Sequence, residues 1–180
     1  LAAGYVYIGM DHFALPEDDL AQALVGGTLQ RNFQGYSTQA DCDLIALGVS
    51  AISRIGNVYA QNHRVLEDYY AALDQQTLPL SKGLTMTEDD LIRRAAIHDL
   101  LCQSEIIIPD FEAKWGIRFA DYFSQELEQI ESHAKDGLVE WSPKRIWVTP
   151  KGRFLARIVA MSFDRHLREA STTARYSKVI

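Results

Sequence analysis

From Thr87 onward the sequence admits few architectures. Thr87-Glu88-Asp89-Asp90 is a capping-box-like start, with a hydroxyl to cap a first turn and acids where a helix N-terminus favours negative charge. Leu91, Ala95 and the run from His98 to Leu101 continue an apolar stripe from it. A second short helix is expected around Asp110 to Trp115, stopped by Gly116. A third carries Phe119, Tyr122, Phe123, Leu127 and Ile130 at helical spacing and stops at Gly137. Leu138-Val139-Glu140-Trp141 and Ile146-Trp147-Val148-Thr149 then flank Ser142-Pro143-Lys144-Arg145, which reads as a hairpin. Thr149, with Pro150 in the first turn, opens a last helix bearing Leu155, Ile158, Val159 and Ser162 on one side. Three helices, a hairpin and a closing helix make a winged-helix-like order. In it the stripe of Phe119, Phe123, Leu127 and Ile130 is expected to bury against Leu155, Ile158 and Val159.

Before Ser81-Lys82-Gly83 the pattern differs. Tyr5 to Met10 is an apolar, β-prone run of the kind buried on both faces of a sheet, ended by the polar step Asp11-His12. Pro16-Glu17-Asp18-Asp19 opens a short helix with Leu20, Ala23 and Leu24 on one face, and Gly26-Gly27 stops it. Arg31 to Thr38 reads as a loop. Asp41 is expected to cap a short helix through Leu47, and Gly48 to Ser53 reads as extended. Asn62 is expected to cap a helix carrying Leu66, Tyr69, Tyr70 and Leu73, ended near Leu78-Pro79. The 180 residues have room for two small domains, and the change of pattern places them at residues 1–83 and 84–180. Leu1-Ala2-Ala3-Gly4 carries no initiator methionine and runs straight into the first strand, which reads as a fragment whose earlier strands lie upstream.

A formal charge of −6 argues against a protein that grips a nucleic-acid backbone. The winged-helix-like order alone suggests DNA, yet the helix from Phe119 carries Asp121, Glu126, Glu128 and Glu131 against a lone Lys135, and those acids repel phosphates. A packing or lid module is the better reading, since fold does not carry function. No apolar run reaches membrane-spanning length, and a cytoplasmic location is expected. The two cysteines, Cys42 and Cys102, are sixty residues apart, too few and too distant for a zinc or iron–sulfur site, so both read as reduced thiols.

The site signature lies in Arg31-Asn32-Phe33-Gln34-Gly35-Tyr36-Ser37-Thr38 and in Gly48-Val49-Ser50-Ala51-Ile52-Ser53, where amides, small residues and glycine let a ligand approach backbone closely. Gln34 can read both a donor and an acceptor edge, and Ile52 offers an apolar side chain beside small neighbours. From residue types alone a satisfied loop amide and a core isoleucine are the simpler readings. Asp11 and His12 sit at a strand end, where ligands of α/β sheets bind, although a solvated turn pair explains them equally. Of Asp41 and Asp43, one is expected to cap and the other to hold a nearby arginine.

Asn32-Phe33-Gln34-Gly35-Tyr36, then Ala40-Asp41-Cys42-Asp43-Leu44, then Gly48 to Ser53 closely resemble the late part of the oxygen-independent coproporphyrinogen III oxidases, a radical S-adenosylmethionine family. Ala120-Asp121-Tyr122-Phe123, Lys135-Asp136-Gly137-Leu138-Val139, Thr149-Pro150-Lys151-Gly152-Arg153 and Ser177-Lys178-Val179-Ile180 continue the likeness, which runs from Tyr5 to Ile180. The resemblance implies an α+β fold: late strand and helix units of a partial (β/α)6 barrel, followed by a winged-helix-like, mainly helical C-terminal domain. It implies coproporphyrinogen III and S-adenosylmethionine as ligands. The reaction implied converts two propionates to vinyls, giving protoporphyrinogen IX.

By the same resemblance Gln34 and Ile52 contact S-adenosylmethionine. Apart from it, Asp11, His12, Arg31 and Tyr36 are candidates for touching substrate or supporting the site. The family's [4Fe–4S] cluster is held by a CxxxCxxC motif that this sequence lacks. Cluster ligands and early barrel strands are therefore expected in a missing N-terminal half, the chain's implied partner, and the chain alone is expected not to catalyse. The electron acceptor stays unnamed. A tetrapyrrole-binding, haem-handling relative and a winged-helix regulator are the alternatives, and neither needs the Asn-Phe-Gln-Gly-Tyr loop.

Overall fold

The computed structural model describes residues 2–40 and 42–170. In chain order they form β1 (Val6–Gly9), β2 (His12–Ala14), α1 (Asp19–Val25), β3 (Gln30–Asn32), β4 (Gly35–Ser37), β5 (Ile52–Ile55), β6 (Val58–Asn62), α2 (Leu66–Asp74) and β7 (Leu80–Thr85). There follow α3 (Glu88–Cys102), β8 (Glu105–Ile107), α4 (Ile108–Trp115), α5 (Phe119–Tyr122), α6 (Ser124–Lys135), β9 (Val139–Ser142) and β10 (Arg145–Val148). A 3-10 turn at Gly152–Leu155, α7 (Ala156–Met161) and α8 (Arg165–Ala170) close the order. Two compact units result. One joins the residues up to Thr38 to those from Ile92 onward, and the other is Gln39–Leu91. These boundaries follow packing, whereas the change of sequence pattern falls at Lys82-Gly83, inside β7.

The helix α3, whose first turn belongs to the second unit and whose remainder belongs to the first, opens on the expected cap: the Thr87 hydroxyl donates to Asp90 Oδ2 at 2.7 Å and accepts from the Asp90 N–H at 3.2 Å. Gly116 stops α4 in the left-handed region at φ +65°, as its position predicts. The hairpin of β9 and β10 forms as expected, and β8, which the sequence reading misses, adds a third antiparallel strand in the order β8-β10-β9. Three residues give no alternation to count, and Ile106 is recognisable as a strand residue only by its burial against Ile146.

The helix expected from Phe119 to Ile130 is two helices, because backbone leaves the helical region at Phe123 (φ −107°, ψ 29°). That break seats the Phe123 ring among Phe119, Phe111 and Phe163, so packing overrides periodicity. Phe119, Phe123, Leu127, Ile130 and Val159 are buried in one cluster as expected, while Ile158 is half-buried and Leu155 is exposed. Glu126 corrects the reading of that helix: it is no part of the exposed acidic face but is buried, its carboxylate taking Arg93 at 2.7 Å and Arg168 at 2.8 Å.

Thr149 caps as expected, accepting from the Gly152 N–H at 3.0 Å, but what it caps is the 3-10 turn before α7. Gly152 is there for closeness. A Cβ on it would stand 1.9 Å from the Leu138 carbonyl oxygen and 2.7 Å from its carbon, and backbone cannot swing aside as a side-chain tip can. Gly152→Ala is therefore expected to lower stability by about 1–3 kcal/mol through overpacking. Thermal unfolding followed by circular dichroism checks this, and a variant that melts with its parent would mean the two segments part freely.

The N-terminal part of this unit departs from expectation in topology. Among the described residues β1 has no parallel neighbour and pairs antiparallel with β2, Val6 opposite Ala14 and Tyr7 opposite Phe13. Every strand pairing among the described residues is antiparallel. The helix from Asp19 forms as read, with Asp18 Oδ1 accepting from the Leu20 N–H at 2.8 Å. Ile8, Ala14, Ala21, Ala23, Leu29 and Cys102 make a second buried cluster.

The second unit is a sheet in the order β5-β6-β7 with α2. Asp41 lies outside the described residues, and the helix expected through Leu47 does not form. Leu44 instead bridges Arg54, each N–H donating to the other's carbonyl at 2.8 Å, and Asp43 accepts from the Gly56 N–H rather than holding an arginine. Asn62 is likewise no helix cap. It ends β6, buried, and Val65 precedes α2 without a side-chain bond. Among the described residues no helix is long and apolar enough to cross a membrane.

Candidate functional site

The stretch from Arg31 to Thr38, read as a loop, is a hairpin. Arg31 faces Tyr36 and Asn32 faces Gly35 across β3 and β4, with Phe33 and Gln34 as the turn. Local chemistry explains it: Asn32 Oδ1 accepts from the Gln34 N–H at 2.8 Å, an Asx turn, and Gly35 supplies φ +132°. Gln34 stands exposed at the tip, and its side-chain amide makes no hydrogen bond among the described residues. A ligand can meet both its donor and acceptor ends.

Tyr36 points the other way. Its hydroxyl donates to the Leu101 carbonyl at 3.1 Å, the His12 ring meets it edge-on at 5.2 Å between centroids, and the Arg31 guanidinium lies 5.7 Å from its ring centre. Gly9 makes room for it, since a Cβ there would reach within 2.2 Å of the hydroxyl. Burial, reinforced by the nearby Cys102 sulfur, pushes the Tyr36 hydroxyl up to about 12. Burial also pushes the Cys102 thiol up to about 12, with Arg31 pulling the other way. Neither ionises near neutral pH, so Tyr36 is a fixed donor and Cys102 an inert thiol.

Asp11 and His12 stand at the turn between β1 and β2, where Asp11 Oδ1 lies 2.8 Å from His12 Nδ1. His12 Nε2 would be 3.3 Å from a Cβ on Gly35, which seats the imidazole against the Gln34 hairpin. Four of the sequence candidates, Asp11, His12, Arg31 and Tyr36, are thus brought into one cluster beneath that hairpin.

Ile52 belongs to the other unit. It opens β5, half-buried, opposite Gln61. The run before it is held from within: Gln61 Nε2 donates to the Ser50 carbonyl at 3.0 Å, Asn62 Nδ2 to the Gly48 carbonyl at 2.8 Å, and the Asn62 N–H to the Ala51 carbonyl at 3.0 Å. Those carbonyls are already engaged, and the Ile52 side chain is what the segment offers. Sequence reasoning missed Gln61 and took Asn62 for a helix cap. Two amides at the end of a β-strand, where few side chains are polar and buried, were the available signal.

Arg153 was also missed as a structural tie. Its Nη2 donates to the Tyr7 carbonyl at 3.0 Å and its guanidinium lies 5.2 Å from the Tyr7 ring centre, so it fixes β1 from a position 146 residues later.

Comparison with known proteins first gives the class. The fold matches a solved radical SAM enzyme, coproporphyrinogen III oxidase (HemN) from Escherichia coli, with a TM-score of 0.87 and 49% identity over 92% of this chain and 38% of that one. Residues 86–155 match the family described as the HemN C-terminal domain. Oxygen-independent coproporphyrinogen III oxidases from Escherichia coli (48% identical) and Pseudomonas aeruginosa (49%) align over 99% of this chain. The chain is a homologue of the oxygen-independent coproporphyrinogen III oxidases, and it spans about two fifths of their length, 39% of either relative.

Proposed function

We propose that this chain is the C-terminal portion of an oxygen-independent coproporphyrinogen III oxidase acting in the cytoplasm on coproporphyrinogen III, with S-adenosylmethionine as radical source. The reading rests on the likeness to the Escherichia coli radical SAM enzyme, which holds at 49% identity across 92% of the chain. In it residues 1–83 are the late part of the barrel domain and 84–180 the C-terminal domain, in keeping with a family match that begins at residue 86. The reaction is oxidative decarboxylation of two propionates to vinyls, giving protoporphyrinogen IX.

The chain's own residues bind and orient. A [4Fe–4S] cluster does not fit them: Cys42 is exposed, Cys102 is a buried thiol, and the described residues hold no group of three His, Cys, Asp or Glu that could bind a metal. Cluster binding falls to the remaining three fifths of the enzyme. When bound, S-adenosylmethionine supplies the radical. Toward it Gln34 offers an unspent amide, and Ile52 an apolar surface. Tyr36, held neutral, supports the hairpin from below by its bond to Leu101, and Gly35 keeps His12 against it.

Grafting this chain in place of the matching part of the Escherichia coli relative tests the reading. The chimera is expected to form protoporphyrinogen IX anaerobically, and an inactive chimera with a full cluster would sink the proposal. Within it Gln34→Ala removes a ligand hydrogen bond of about 1–3 kcal/mol, enough to cut turnover tenfold or more. Iron content and melting temperature should stay with the parent, because the Gln34 side chain makes no hydrogen bond among the described residues and its backbone N–H bond to Asn32 is untouched. Unchanged turnover would take Gln34 out of the site.

A further inference from the structure

An open groove of about 290 Å³ lies between the turn after β1 and the segment opening α7, lined by Met10, Asp11, Arg153, Phe154, Leu155 and Arg157 with their neighbours. Its walls are tied together. Arg153 donates to the Tyr7 carbonyl at 3.0 Å, the Tyr7 hydroxyl donates to the Met10 carbonyl at 2.9 Å and the Arg153 carbonyl at 3.3 Å, and Tyr7 stacks on Phe154 with centroids 5.0 Å apart. The groove therefore exists before any ligand arrives.

Its chemistry is mixed in one particular way. Phe154 is 62% exposed, a large aromatic side chain left to solvent beside the half-buried Met10 and Ile158. Arg157 is exposed and has no hydrogen bond or ion pair among the described residues. Arg153 adds a second positive charge, while Asp11, the lining acid, lies against His12. An apolar wall beside a spare guanidinium suits a flat apolar body carrying a carboxylate. The volume is at the small end for a ligand site of roughly 300–1,000 Å³, room for one ring and its arm rather than a macrocycle. S-adenosylmethionine fits worse, since its sulfonium and ammonium would face the two arginines.

We propose that this groove holds one propionate-bearing pyrrole of a tetrapyrrole, with Arg157 on the carboxylate and Phe154 against the ring. The inference rests on the function proposed above and assigns that substrate a contact on this chain. Coproporphyrin III, the fluorescent oxidised form, is the probe, titrated into the 180-residue chain. Saturable binding is expected, weakened about tenfold or more in Arg157→Glu, as losing a charged hydrogen bond implies, and less in Arg157→Lys. Arg118→Glu, the same charge change outside the lining, should bind as the parent does. The tetramethyl ester, without carboxylates, should bind weakly and ignore Arg157. Failure of the parent to bind the probe, equal affinity in Arg157→Glu, or S-adenosylmethionine displacing the probe in competition would each overturn the groove. An active chimera alongside any of these would leave the function standing, and an inactive one would fail the function itself.

Discussion

Glu126→Gln is expected to destabilise the first unit by about 3–5 kcal/mol, the cost of removing the carboxylate that the buried Arg93 guanidinium meets at 2.7 Å. Glu126 has 2% of its side chain exposed and Arg93 only 12%, so the lost carboxylate charge cannot be replaced by water at Arg93. Arg168, 32% exposed, is partly hydrated and suffers less. Urea unfolding of the single variant measures the loss. Replacing Glu126 and Arg93 together by Leu and Met should recover much of it, because of the two cations only the partly hydrated Arg168 then loses the Glu126 carboxylate. A Glu126→Gln protein as stable as its parent would show that solvent reaches the cluster.

The same carboxylate sets a pH dependence whose sign follows from its shift. Burial raises its pKa, but the hydrogen bonds from Arg93 and Arg168 and the charge of Arg93 outweigh this and hold it below the ordinary 4.5. A group depressed in the folded state contributes stability that is present above its unfolded pKa and lost as pH falls through the folded one. Below pH 4.5 the parent should therefore lose stability that Glu126→Gln has already lost, and the two denaturation curves should converge.

Phe123→Ala should cost about 3–5 kcal/mol by the cavity it leaves. The ring is wholly buried, with neighbouring centroids at 4.8 Å in Phe119, 4.9 Å in Tyr122 and 5.1 Å in Phe163, and the Arg93 guanidinium 5.5 Å from its centre. Phe123→Leu, which keeps much of the volume, should cost less. Since Arg93 touches both Phe123 and Glu126, the two losses should not add, and the double variant measures that coupling. Equal stability of the alanine and leucine proteins would mean that the aromatic cluster collapses around the gap.

What the sequence conveyed was whatever is local. Gly116, the Thr87 cap and the Asp18 cap act within four residues, and all three elements stand where those residues place them. The hairpin of β9 and β10 was legible for the same reason. Strands of three residues were not, because β2, β3, β4 and β8 are too short to alternate and owe their existence to a partner strand. Glu126 was misread because its partners stand 33 and 42 residues away. At the site, Gln34 and Ile52 came from family likeness more than from chemistry, and Arg157 carried no signal until the fold set Met10 and Phe154 around one groove.

The first unit is made of two stretches of chain with the second unit's residues between them, and this orders events during synthesis. The Gln39–Leu91 segment leaves the ribosome complete while the hairpin of β1 and β2 still lacks the residues that hold it. Tyr7 must wait for Arg153, 146 residues later, which at about 5–20 residues per second is a delay of roughly 7–30 s. Through that interval the β1 hairpin lacks its tie to Arg153, which leaves the nascent chain more open to chaperone capture than the folded one.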